Sequence, residues 1–304
     1  MLRRVGRGYV YEPQTAPIRI NADYFHRGSG DLTAELLIQS TAPAGPTHIH
    51  HARFNLTSTT TRKALAGMLT EISEGSFAGP IDWRAILEAF CSLVLQAEHQ
   101  GEPVVLIGRR NGTQVGVSYV VEELFLEHTI NVLYGAPGIG KGWLATAYSV
   151  ALATGSGIAG YKAKRRNVLY CDWEDDADRL EARLQQVAKG MALETPVIAY
   201  LHFHQPFASQ VNSVIRHLDD GSEWAIVIDS VEAASGVSGE RGTYGDRAAE
   251  LFEALRLLAP ADVLLIDHVS HDQVRNKKEV GRPINSIMKY AWVRQGWEVR
   301  AQSD

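Results

Sequence analysis

The stretch Gly135-Ala136-Pro137-Gly138-Ile139-Gly140-Lys141-Gly142 decides the fold, because it joins the apolar run TINVLY (129–134) to the helix-patterned run WLATAYSVALATG (143–155). A glycine-rich turn between a strand and a helix lets backbone N–H groups converge on phosphate oxygens. The helix N-terminus adds its dipole, and a lysine in the register of Lys141 reaches the β and γ phosphates. Seven of the eight positions satisfy the phosphate-loop pattern GxxxxGK[ST]. The eighth does not. Gly142 stands where a Ser or Thr hydroxyl would bind Mg²⁺, so water or another side chain has to fill that place. The expected nucleotide contacts are Gly135, Ala136, Pro137, Gly138, Ile139, Gly140, Lys141, Gly142 and Trp143.

A triphosphate site also needs a carboxylate for the Mg²⁺ shell and a group that orients the attacking water. Asp229 closes the run WAIVID (224–229) and precedes Ser230, the pattern of a Walker B strand, and is the expected Mg²⁺ residue, acting through water. Glu174 follows LYCDW and is the expected base, with Asp172 as its rival and Asp176 as the cap of the next helix. The run ADVLLID (261–267) leads into His268 and Ser270, either of which suits a γ-phosphate sensor.

Around these motifs the chain alternates apolar runs with helical spacing, the mark of parallel strands covered on both faces. The runs are 129–134, 166–173, 197–203, 224–229 and 261–267; helical patterns occupy Trp143 to Thr154, Ala177 to Gly190, Val211 to Asp219 and Arg247 to Leu258. A doubly wound α/β sheet follows, with ligands at the carboxyl ends of its strands. Upstream, TAELLIQS and THIHHARFNL alternate like strands. Two helical faces follow, Leu65, Met68, Leu69 and Ile72, then Ile81, Ile86, Leu87, Phe90 and Val94, before PVVLIG reads as a strand. A turn cluster near Gly108 to Gly116 separates an α+β segment, residues 1–112, from an α/β domain, residues 113–304.

Composition narrows the class. The 304 residues are 45% hydrophobic and 21% charged, as expected of a folded globular chain. The formal net charge of −5 excludes an overall polycation, so any nucleic-acid contact has to be a local basic patch. Two cysteines, Cys91 and Cys171, exclude a disulfide framework and fit a reducing cytoplasm. The start MLRRVGRGYVYEP lacks the apolar stretch of a signal peptide, and no run approaches the ~18 apolar residues of a membrane span.

The motifs GAPGIGKG, LYCDWEDD, VIDS and LLIDHVSH together resemble the RecA-like P-loop ATPases, and within them the RepA-type family of plasmid and phage replication ATPases related to hexameric helicases. The resemblance spans about residues 115 to 294. It implies a RecA-like core with a mainly parallel sheet carrying an N-terminal α+β accessory domain. It implies ATP and Mg²⁺ as ligands, hydrolysis coupled to work on single- or double-stranded DNA, and a homo-oligomer, of which a hexamer is one form. Catalytic roles fall on Lys141, Glu174 and His268. In Gly281-Arg-Pro-Ile-Asn-Ser286-Ile-Met-Lys289, Arg282 and Lys289 match the place of a cation that reaches a neighbouring subunit's γ-phosphate. His271 stands where relatives carry a lysine.

Near the C-terminus Arg275, Lys277, Lys278, Arg282, Lys289, Arg294 and Arg300 outnumber Glu279 and Glu298, a segment suited to backbone phosphates. Arg241 and Tyr244, in the glycine-rich loop from Ser235 to Asp246, are further contact candidates. Trp143 is expected in the core, while Trp173 has either a core or a site role. In a strand His48 and His50 would share one face and His51 the other, which disfavours a metal site. Two rival functions stay open. One is a nucleotide-gated binding or assembly module with slow or no turnover, which Gly142 would mark. The other is a small-molecule kinase, against which stands the lack of an arginine-rich lid after the sensor strand.

Overall fold

The computed structural model describes residues 1–301 apart from 29, 44–47, 102–115, 219–220, 237–243 and 270–292. The expected strand at 103–108 and most of the turn cluster before Gly116 lie outside the described residues. The chain divides into two compact units, residues 1–113 and 114–304.

The first unit is an antiparallel meander of β1 (Leu2–Val5), β2 (Gly8–Tyr11), β3 (Ile18–Arg27), β4 (Leu32–Ser40) and β5 (His50–Asn55), followed by helices α1 (Thr59–Ile72) and α2 (Trp83–Gln100). Alternation builds its core. Leu32, Ala34, Leu36 and Ile38 of β4 are buried, as are Ile18, Ile20 and Ala22 of β3, because successive side chains of a strand point to opposite faces. Ser58 and Asp82 cap the two helices, their side chains accepting from Thr61 N (3.2 Å) and Ala85 N (3.0 Å). Helix α2 buries Ile86, Leu87, Phe90 and Val94 as expected, with Trp83 and Cys91 added. In α1 the buried face is Leu65, Ala66 and Leu69. Met68 and Ile72 are exposed, since Ile72 is the last residue of the helix, where the stripe runs out. His48 precedes β5, so strand alternation does not govern it, and its ring stands edge-on to that of His51 at 6.4 Å. Among the described residues no group of three or more His, Cys, Asp or Glu is placed to hold a metal ion.

The second unit starts with a small antiparallel pair, β6 (Tyr119–Val121) and β7 (Phe125–Leu126). Its main sheet comprises β8 (Ile130–Gly135), β9 (Asn167–Asp172), β10 (Ala199–His202), β11 (Trp224–Asp229), β12 (Asp262–His268) and β13 (Gln295–Val299). The strands are all parallel, in the order β10-β9-β11-β12-β8-β13. Helices α3 (Lys141–Thr154), α4 (Ala177–Gly190), α5 (Phe207–Leu218), α6 (Val231–Ala234) and α7 (Tyr244–Arg256) connect them.

Each central strand divides its side chains between two cores. Leu133, Tyr170, Val227 and Leu264 pack with Tyr148 of α3 and Leu184 of α4. On the other face Val132, Cys171, Ile228 and Leu265 pack with Val211 of α5 and Phe252 of α7. This is the RecA-like α/β core, and β12 lies between the phosphate-loop strand β8 and the Asp229 strand β11. At the amino edge the buried Arg166 donates to Asp262 Oδ2 (2.8 Å), to Glu223 Oε2 (2.8 Å) and to Glu127, tying the strand starts together. Among the described residues no helix is long and apolar enough to cross a membrane.

Candidate nucleotide site

Strand β8 is buried along its length and ends at Gly135; α3 begins six residues later at Lys141. Gly138 and Gly140 make the turn possible, with φ of 73° and 100°, values that L side chains rarely adopt. Gly140 is the N-cap of α3 and offers no side-chain cap bond, so the first amides of the helix are left for an external acceptor. Lys141 is only 5% exposed, and its ammonium folds back to donate to Gly135 O (3.0 Å) and Ala136 O (2.9 Å). The third contact is His268 Nδ1 at 3.2 Å, which links the loop to the end of β12. Burial lowers the pKa of Lys141, opposed by the charges of Asp229, Asp267 and Glu174. Burial, joined by the Lys141 charge, also holds His268 below its ordinary value, so a neutral ring accepts at Nδ1.

Parallel register sets Asp229 beside Asp172 at the ends of β11 and β9. Asp229 Oδ2 accepts from Tyr170 OH at 2.7 Å. Its pKa is pushed up to about 6, first by burial and then by the charges of Asp172 and Glu174, against the Tyr170 bond and the charge of Arg183. Asp172 is no free base. Its Oδ1 accepts from Glu174 N (2.9 Å) and Asp175 N (3.0 Å), forming the turn that presents Glu174. Its buried Oδ2 has no hydrogen-bond partner. Glu174 itself is exposed, steadied by Ser230 Oγ, which donates to its Oε1 at 3.0 Å. It borders a cavity of about 680 Å³ that Trp173, Phe203 and Gln205 also line.

Asp176 caps α4, accepting from Arg179 N at 2.9 Å. Trp143 is not a core residue: it lies in the first turn of α3, ahead of that helix's buried stripe of Ala145, Tyr148 and Leu152, and is 46% exposed. Trp173 is half-buried, stacked on Phe203 with ring centroids 4.7 Å apart, its Nε1 donating to Gln205 O (2.9 Å). Ser270, His271, Arg241, Arg282, Lys289 and the cations at 275–278 lie outside the described residues. Of the basic C-terminal residues, Arg300 pairs with Glu298 at 2.6 Å. Tyr170 and Ser230 fall inside the motifs LYCDWEDD and VIDS, but their contacts with Asp229 and Glu174 were not legible there, and Arg183, ten residues beyond Trp173 on a polar-looking helix, carried no signal in the sequence.

A family model described as an AAA domain matches residues 96–274, more than half of the chain. The chain belongs to the AAA domain family. Among curated proteins nothing matches it. Membership makes this AAA domain a P-loop ATPase by type, a class that binds a nucleotide, usually with Mg²⁺.

The residues fit such a cation. Asp172 Oδ2 is a buried oxygen with no hydrogen-bond partner, and Asp229 stands beside it at the end of the neighbouring strand, so two carboxylates meet where a cation would sit. Mg²⁺ is commonly held by one or two carboxylates, waters and substrate phosphates rather than by an all-protein cage.

A stability prediction follows for the protein free of metal and nucleotide. Folded Asp229 keeps its proton to about pH 6, whereas unfolded aspartate releases it near pH 4, so its contribution to stability falls as pH rises through that window and is flat above it. Asp229→Asn removes the penalty. The variant is expected to unfold later than the parent at pH 7.5, by the order of 1–3 kcal/mol, with the gap narrowing toward pH 4. Thermal melts across pH check this, and an Asn variant less stable at every pH would contradict it.

Proposed function

We propose that this AAA domain protein is an ATP-hydrolysing RecA-like motor acting on nucleic acid. Within that class we read it as a replication-type DNA helicase or DNA-dependent ATPase of the RepA type, belonging to a plasmid, phage or mobile element. The observation that carries the reading is the meeting of Lys141, His268, Asp229 and Glu174 at the carboxyl edge of one parallel sheet, beside helix amides that have no cap.

In the proposed mechanism Lys141 exchanges its loop carbonyls for the β and γ phosphates, while the amides of residues 138–142 hold the remaining oxygens. Glu174, steadied by Ser230, accepts a proton from the attacking water. His268 touches the same ammonium and so registers whether the γ-phosphate is present, just ahead of the basic C-terminal segment. When bound, Mg²⁺ supplies charge neutralisation across the phosphates; Asp229, with Asp172, would hold it through water. Arg282 and Lys289 complete the site in trans in a homo-oligomer such as a hexamer. Residues 1–112 serve as an accessory domain for docking, assembly or partner recognition. The basic segment meets single- or double-stranded DNA through its phosphates.

Steady-state hydrolysis with Mg²⁺, measured with and without single-stranded DNA, tests the motor reading. Acceleration by DNA that fades as salt rises is the expected result. A rate unmoved by DNA would contradict it. The second reading, a nucleotide-gated assembly module, is favoured by Gly142 and would show tight nucleotide binding with negligible turnover in both conditions.

A further inference from the structure

We infer that Arg183 is the side chain that replaces the missing phosphate-loop hydroxyl, acting as a cis ligand for the β and γ phosphates of a nucleoside triphosphate. The inference rests on the reading of residues 135–142 as a phosphate loop. Gly142 carries no side chain, yet its place is taken. A Cβ added there would lie 2.9 Å from Arg183 Nη1 and 3.8 Å from Asp229 Oδ2, so the guanidinium occupies the space that a Ser or Thr would need.

The arginine comes from α4, whose buried stripe of Leu180, Leu184 and Ala188 packs in the same core as α3. Its side chain is 18% exposed and keeps charge contact with Asp175 Oδ2 at 3.1 Å. Nη2 is the atom of that ion pair, held at an angle that makes no hydrogen bond, while Nε is buried with no partner at all. A buried guanidinium donor left unsatisfied is costly unless a ligand supplies an oxygen atom, and a planar fork of N–H groups matches phosphate oxygens. The position also answers an electrostatic problem. Asp172, Glu174 and Asp229 cluster where an anionic triphosphate has to enter, and a fixed cation among them offsets part of that repulsion.

Two variants separate this role from mere support of α4. Gly142→Ala adds a methyl group that displaces only the far end of the Arg183 side chain, while alanine favours the helix over glycine, so the free protein should melt no lower than the parent. Arg183→Ala removes the donors outright.

Calorimetric titration with ATP, with Mg²⁺ and again with a chelator, gives the readout. Each variant is expected to bind ATP about tenfold or more weakly than the parent, a loss typical of a charge-assisted hydrogen bond. The parent is expected to lose less than about tenfold on chelation, because much of the charge compensation is built in. Should the parent bind ATP and both variants bind it equally well, the role of Arg183 is overturned while the phosphate loop stands. A lower melting point for Arg183→Ala, with Gly142→Ala binding normally, assigns Arg183 to structure and also overturns the inference. A parent that fails to bind ATP overturns the phosphate-loop reading itself.

Discussion

Glu174→Gln is expected to bind ATP with near-parental affinity and to lower turnover by about 10²- to 10⁴-fold, the range removed with a general base. The geometry makes the change local. Glu174 is exposed, its backbone N–H is fixed by Asp172 Oδ1, and Ser230 Oγ donates to its Oε1, a bond that the glutamine carbonyl can still accept. What disappears is the capacity to take a proton. In the proposed mechanism Lys141 and the loop amides hold the phosphates without help from Glu174, so binding and hydrolysis separate. A rate measured beside an equilibrium titration checks this; equal turnover in the two proteins would move the base elsewhere. Asp172 is the poorer alternative, because its Oδ1 is committed to the turn.

Lys141→Ala is expected to act earlier, at binding. The buried ammonium donates to two carbonyls of its own loop, and in the proposed mechanism those bonds are exchanged for phosphate oxygens. Removing two charge-assisted hydrogen bonds lowers affinity by about 10²- to 10³-fold. The same substitution leaves Gly135 O and Ala136 O without these donors, at a cost to stability of about 1–3 kcal/mol. The test is therefore the rise in melting temperature caused by ATP, expected in the parent and absent in Lys141→Ala, rather than the melting temperature alone. A ligand-induced rise of equal size in both would contradict the assignment.

The central strands were legible because each is a short apolar run buried on both faces, and the phosphate loop because glycines and a lysine at fixed offsets have few other uses. Strand β13, QGWEV, was not legible: it lies at a sheet edge, is exposed or half-buried, and lacks an apolar run. Strands β1 to β3 mix Arg3, Arg4 and Arg19 with their apolar residues, which blurs the alternation. In the site, roles set by neighbouring residues were visible, as with the Asp176 cap. Long-range ones were not. The Tyr170 bond to Asp229 and the approach of Arg183 to Gly142 depend on strand register and helix packing, which no local pattern encodes. The one clue to Arg183 was negative, a glycine where a hydroxyl belongs.

The most direct test of the central claim, that Lys141 holds the triphosphate and Glu174 reacts it, is to identify the nucleotide left on the protein. Parent, Glu174→Gln and Lys141→Ala are each mixed with ATP and Mg²⁺, freed of excess ligand, and quenched after the time of one parental turnover. The account predicts ADP on the parent, intact ATP on Glu174→Gln and no nucleotide on Lys141→Ala. Formation of ADP by Glu174→Gln at the parental rate, or ATP retained by Lys141→Ala as well as by the parent, would contradict it.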